Sequence, residues 1–142
     1  MAESARKIPA PNSTPETAPF WEAAAKGKLL VKACAACGRA HHYPRPNCPF
    51  CGSDRTEWKD SAGRGVIYSY SVMRRATPPY VLAYVTLDEG PTMMTNLVDC
   101  DFDALRIGQP VRVVWAPTDG GAPVPMFTPA DPLLIPRTPR VG

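Results

Sequence analysis

Cys34, Cys37, Cys48 and Cys51 form two CxxC pairs with ten residues between them. Each pair can fold as a knuckle that aims both sulfurs at one point. Two facing knuckles give a tetrahedral set of four thiolates, the arrangement that holds zinc at about 2.3 Å per Zn–S bond. Gly38 and Gly52 follow the second cysteine of each pair. Glycine tolerates the backbone turn that lets amide groups approach a thiolate sulfur. The gap is shorter than the about 15–20 residues common between such pairs, yet it spans a tight hairpin. Four thiolates leave no open coordination position, so the expected cofactor is a structural Zn2+ that does not activate water. Iron in a rubredoxin-like site is the chemical rival, since tetrahedral sulfur sets hold either metal. A redox CxxC fits two pairs at this spacing less well.

The other reactive side chains assemble no catalyst. His41 and His42 lie between the pairs, but four sulfurs already fill the shell. Both are expected at the surface or behind the ligands. Cys100 reads as a partly buried free thiol, because a nucleophile needs a base and no histidine is near it in sequence. Asp99, Asp101 and Asp103 read as a solvated loop, lacking the glycine and distal glutamate of a calcium loop. There is no phosphate loop, no GxSxG and no HExxH. No catalytic residue is expected in this chain. Arg64, Arg74 and Arg75 flank or end a strand that carries Tyr68 and Tyr70. They are candidates to meet a phosphate or an acidic partner, against the plainer reading of a solvated basic edge.

The elements that must position these groups follow from composition and pattern. A segment below roughly 40 residues usually needs a metal or disulfide to fold alone, and the cysteine-rich stretch is that small. The chain has 142 residues, 44% of them hydrophobic, with a net charge of +3. That charge permits an acidic ligand but does not imply nucleic acid. No apolar run approaches the ~18 residues of a membrane helix, and the first residues lack a signal-peptide core. A reducing cytoplasm is the expected location, where CxxC pairs read as metal ligands.

Residues 1–18, rich in Pro, Ser, Thr and Ala, read as a flexible arm. A short helix is expected from about Pro19 to Lys26, with proline in the first turn and Gly27 as the stop. Phe20 and Trp21 need burial, either on the ribbon or in a partner. Residues 19–60 then make helix and zinc ribbon, led by the strand LLVKA. From Gly65 the period changes to two. VIYSYSVMRR, YVLAYVTLD, TMMTNLVD, PVRVVWAP and PVPMFTP read as five strands. Thr118-Asp119-Gly120-Gly121 closes the last hairpin. DALRIGQ, between the third and fourth, reads as a helical turn or loop. The fold class is mainly β, with residues 61–129 forming a five-stranded OB barrel; a small sandwich is the rival. Residues 130–142 form a Pro-rich tail.

The ordered combination resembles a family of zinc-ribbon/OB-fold proteins associated with acyl-CoA metabolism. The resemblance is carried by FWEAAAKGKLLVKACAACGRAHHYPRPNCPFCGS, by GRGVIYSYSV at the join, and by PPYVLAYVTLDEGPTMMTNLVD and LRIGQPVRVVW. It covers about residues 19–129. It implies a helix, a rubredoxin-like ribbon and an OB barrel, in agreement with the pattern reading. It also implies a small companion of a thiolase-fold subunit. Family settings include acetoacetyl-CoA thiolase with hydroxymethylglutaryl-CoA synthase, thiolase-like aldolases of steroid side-chain breakdown, and thiolases of aromatic degradation. The companion stabilises its enzyme and helps form the acyl-CoA site, while catalytic Cys and His belong to the partner. A hetero-oligomer of two plus two subunits is the family's arrangement, and the hydratase module fused to some relatives is not expected here. Only the four cysteines carry over residue by residue. CoA contact through Arg64, Arg74 and Arg75 is an added expectation.

Two functions compete with an accessory subunit. An OB barrel can bind single-stranded nucleic acid, with Tyr68, Tyr70 and Tyr80 as stacking candidates. The weak basic charge and the acidic residues of the barrel speak against it, and neither nucleic acid nor membrane is the expected partner. A free-standing acyl-CoA-binding protein or enzyme is the other alternative.

Overall fold

The structure is a computed structural model that describes residues 8–130. The Pro-rich tail from residue 131 and the first seven residues of the N-terminal arm lie outside the described residues.

Helix α1 (Ala18–Ala24) comes first, with proline in its opening turn. Gly27 ends it at φ 77°, and the Lys28 amide returns to the Ala23 carbonyl at 2.9 Å. Strands β1 (Leu30–Cys34), β2 (Ala40–His41) and β3 (Thr56–Asp60) make a small antiparallel sheet in the order β2-β1-β3. Strands β4 (Arg64–Met73), β5 (Tyr80–Leu87), β6 (Thr92–Leu97), β7 (Pro110–Ala116) and β8 (Val124–Pro129) close into a barrel in the order β4-β5-β6-β8-β7. This is the expected five-stranded OB architecture, and the sandwich reading falls. A 3-10 turn at Phe102–Ala104 fills the irregular stretch between β6 and β7.

Alternation along the strands builds the core. Val81, Ala83, Val85 and Leu87 of β5 point inward, as do Met93 and Leu97 of β6. Phe20, Leu29 and Val31 from the helix and ribbon join Ile67, Val111 and Phe127 of the barrel in one cluster. The ribbon is therefore packed onto the barrel's core. Phe20 meets Trp21 edge-on at 4.8 Å and His42 at 5.6 Å, which seats the helix on the ribbon. Glu89, in the β5–β6 turn, ties the join down: its carboxylate accepts from the Ser61 hydroxyl at 2.7 Å and the Ala62 amide at 2.8 Å.

Three features go beyond the sequence reading. The second half of the N-terminal arm touches the rest of the chain at its two ends. The Asp119 amide donates to the Ile8 carbonyl at 2.9 Å, Pro9 bridges Asp119, and Thr17 is buried. Strand β3 was not legible in TEWKD, whose charged residues hide its period, yet all five of its residues pair with β1. Strand β4 does not alternate throughout. Its register slips between Ile67 and Ser69, so Tyr68 is an extra, unpaired residue. Such a bulge reverses which side chains face in. Ile67 points inward before it, while Tyr70 and Val72 pack on the core after it.

Candidate metal centre

The β1–β2 turn carries Cys34 and Cys37, and the loop before β3 carries Cys48 and Cys51. The Gly38 amide returns to the Cys34 carbonyl at 2.8 Å, and the Gly52 amide to the Cys48 carbonyl at 2.9 Å. Both glycines have left-handed backbones, φ 80° and 82°, where an L side chain is strained. These two matching turns aim the four sulfurs together, all within 4.8 Å of one another. Sγ of Cys34 lies 3.6 Å from that of Cys51, and Cys37 lies 3.7 Å from Cys48. A tetrahedron of about 2.3 Å Zn–S bonds has edges of about 3.8 Å, so the set fits a zinc ion. Among the described residues it is the one cluster of potential metal ligands.

Backbone dipoles prepare the sulfurs for negative charge. The Ala36 and Cys37 amides point at Cys34 Sγ at 3.3 and 3.4 Å, and the Phe50 amide at Cys48 Sγ at 3.3 Å. The Cys37 amide, with the Ala36 amide and the neighbouring sulfurs, outweighs burial and lowers Cys34 from 9.0 to about 6. At Cys48 burial raises the pKa, but the amides of Cys51 and Phe50 and the adjoining sulfurs lower it overall. At Cys51 the Ser53 amide lowers the pKa, yet the Cys34 sulfur, burial and the other two sulfurs push it up to about 11. Sulfurs this close share protons because they repel as thiolates. A divalent cation removes that conflict and lets all four ionise.

His41 and His42 do not join the sulfur cluster, and of the two expected places, at the surface or behind the ligands, the surface is excluded. His41 is buried in β2, and burial, opposed by the Arg45 backbone, lowers its pKa. His42 packs between Phe20 and Tyr43. Burial, reinforced by His41, lowers its pKa to about 4. Its Nδ1 is buried without a hydrogen-bond partner. The seat of His42 left no sequence signal, because Phe20 reaches it from α1. Cys100 is half-buried, and burial followed by Asp99 and Asp101 raises its pKa, the reverse of an activated nucleophile.

The three arginines are not brought together. Arg64 opens β4, whereas Arg74 and Arg75 follow its far end. Ten residues of strand span about 30 Å, so no one phosphate group meets all three. Arg74 is held by Asp103 at 2.8 Å, both ends exposed. Tyr68 and Tyr70 also part company: Tyr68 is 65% exposed, while the Tyr70 hydroxyl donates to the Leu105 carbonyl at 2.8 Å. The proposed stacking platform therefore does not exist as one surface.

Comparison with known proteins agrees with this geometry. Residues 21–57 match the family model of the ChsH2 rubredoxin-like zinc ribbon domain, and residues 58–116 match that of the ChsH2 C-terminal OB-fold domain. A chain in the solved structure described as "Ltp2-ChsH2(DUF35) aldolase" superposes with TM-score 0.74 at 38% identity, covering 84% of this chain and 98% of that one. A "DUF35 domain-containing scaffold protein" of Methanothermobacter thermautotrophicus is 37% identical over 94 residues, 61% of this chain and 71% of that protein. A "Probable enoyl-CoA hydratase alpha subunit" of Thermomonospora curvata is 41% identical over 119 residues. That match takes in 80% of this chain but 37% of the relative, so the chain spans little more than a third of that protein's length. A closed four-cysteine ribbon packed on a five-stranded barrel, with sequence and structure matching over most of the length, places this chain in the ChsH2/DUF35 family of zinc-ribbon and OB-fold proteins.

Proposed function

We propose that this chain is a non-catalytic accessory subunit of a thiolase-fold enzyme acting on acyl-CoA, in thiolytic or retro-aldol carbon–carbon chemistry. The observation that carries the reading is the match over 98% of a chain from a structure named for an aldolase together with ChsH2(DUF35). The site chemistry agrees with it. Cys34, Cys37, Cys48 and Cys51 hold a structural zinc, which clamps the two knuckles and leaves no position for substrate. Reacting groups then come from the partner, and this chain supplies a rigid, zinc-stapled platform. Two subunits of each kind make the assembly. CoA meets the complex either near Arg64 or near Arg74 and Arg75, since one group cannot bridge both places.

The test is co-expression with the thiolase-fold protein encoded nearest to this chain. Co-elution on size exclusion, with acyl-CoA cleavage by the mixture and by neither protein alone, supports the reading. Separate elution and an unchanged enzyme rate refute it for that pair. Unchanged CoA affinity of the complex in Arg74→Ala/Arg75→Ala removes those two arginines from the CoA contact.

A further inference from the structure

After Arg64, strands β4, β5 and β6 contain no charged residue. An antiparallel sheet with one solvated face normally places polar and charged side chains outward. Here the outward positions are apolar or neutral. Tyr84 of β5 stands directly opposite Met94 of β6, and Ser69 of β4 lies on its other side. The extra residue of the bulge, Tyr68, precedes Ser69 in β4 and is exposed too. Tyr68, Tyr84 and Met94 are 65%, 44% and 57% exposed. Their neighbours Thr86 and Thr92 hydrogen-bond to each other at 2.9 Å and so present little unmet polarity.

One edge of this face is walled by the helix and ribbon. Between wall and barrel lies a groove of about 590 Å³, lined by Trp21, Tyr43, Leu82, Tyr84, Met94 and Pro125 among others, with no Asp, Glu, Lys or Arg in its lining. The second and third strands of an OB barrel form the face that commonly takes oligonucleotides. Those ligands require Lys or Arg to neutralise phosphates, and this face has neither beyond Arg64 at its end. Tyr, Trp and Met with charges depleted is instead the composition of a protein interface core.

We infer that the β4–β5–β6 face and its groove are the docking surface for the partner subunit, with Tyr84 and Met94 as its centre. The occupant is an uncharged, apolar patch of the thiolase-fold enzyme, one of whose side chains enters the groove. This rests on the accessory-subunit reading and adds to it which face of the barrel is used. The pairing is hydrophobic, so its affinity depends weakly on salt.

The experiment uses the full chain with its thiolase-fold partner. Tyr84→Lys/Met94→Lys is compared with Ile107→Lys, which places the same charge at an apolar residue 69% exposed elsewhere. The expected result is a Kd weakened about 100-fold or more by the double variant and left unchanged by Ile107→Lys, with metal content and far-UV circular dichroism retained by both. Hydroxyl-radical footprinting of the wild-type complex supplies a readout free of mutation: oxidation of Met94 and Tyr84 falls on binding, while that of Ile107 does not. Full-affinity binding by a folded double variant overturns the inference, as does unchanged Met94 oxidation in the complex. Self-association of the isolated chain that the double variant abolishes, with partner binding intact, assigns the face to a second copy and also overturns it. Failure of the wild-type chain to bind the partner at all refutes the accessory reading itself.

Discussion

The half-buried His42, with its Nδ1 shielded from water, makes folding stability depend on pH in a calculable way. Burial lowers its pKa from 6.5 to about 4, so the folded chain excludes a proton that the unfolded chain accepts. The unfolded state then binds more protons between those values, and stability rises with pH across that window. Above pH 6.5 the contribution is fully present. It is lost as pH falls and levels off below about pH 4. With about 1.4 kcal/mol per pKa unit, the loss is about 2 kcal/mol at pH 5 and about 3 kcal/mol at pH 4. The perturbation is His42→Phe, which keeps a ring against Phe20 and Tyr43 and removes the unpartnered Nδ1. At pH 7.5 the variant should be as stable as the wild type or slightly more so, because an unsatisfied buried nitrogen is removed. The assay is urea denaturation followed by tryptophan fluorescence from pH 7.5 to 4.5, in saturating zinc. Carboxylates and metal-bound thiolates titrate in both proteins, so the difference between them isolates the histidine. Parallel stability curves for wild type and His42→Phe would refute the argument.

Three further outcomes follow from the packing and the charges. Cys48→Ser should lower bound zinc from about one ion per chain to a small fraction, measured by metal analysis after gel filtration, while strand signals of the barrel persist. Phe20→Ala removes a ring that is 2% exposed at the meeting of helix, ribbon and barrel; a loss of about 3–5 kcal/mol is expected in urea denaturation. Arg74→Ala, which breaks the exposed pair with Asp103, should change stability by less than about 1 kcal/mol, checked by the same assay.

The four-sulfur cluster was legible because its information is local. A CxxC followed by glycine specifies its own turn, and two such turns with ten residues between them need little beyond a hairpin to converge. The barrel strands were legible because alternation with period two records burial on one face. TEWKD was not, since an edge strand exposed to water keeps charged residues and shows no apolar period. The contacts of Ile8 and Thr17 were not legible for the same reason: they rest on backbone hydrogen bonds and one buried hydroxyl, which composition does not report.

By itself the sequence determined the four-sulfur ligand set, the order of helix, ribbon and barrel, and the resemblance to an acyl-CoA-associated family. Only the tertiary structure decided which side chains share a surface. The slip at Tyr68 turns Tyr70 inward although Tyr68, two residues before it, stays outward. A ten-residue strand separates Arg64 from Arg74. Pairing of β5 with β4 and β6 turns segments that carry no charge after Arg64 into one face. Covalent spacing fixes turns and periodicity within a few residues. Register, bulges and barrel closure arise from pairing between distant segments, and they set the faces through which the chain meets other molecules.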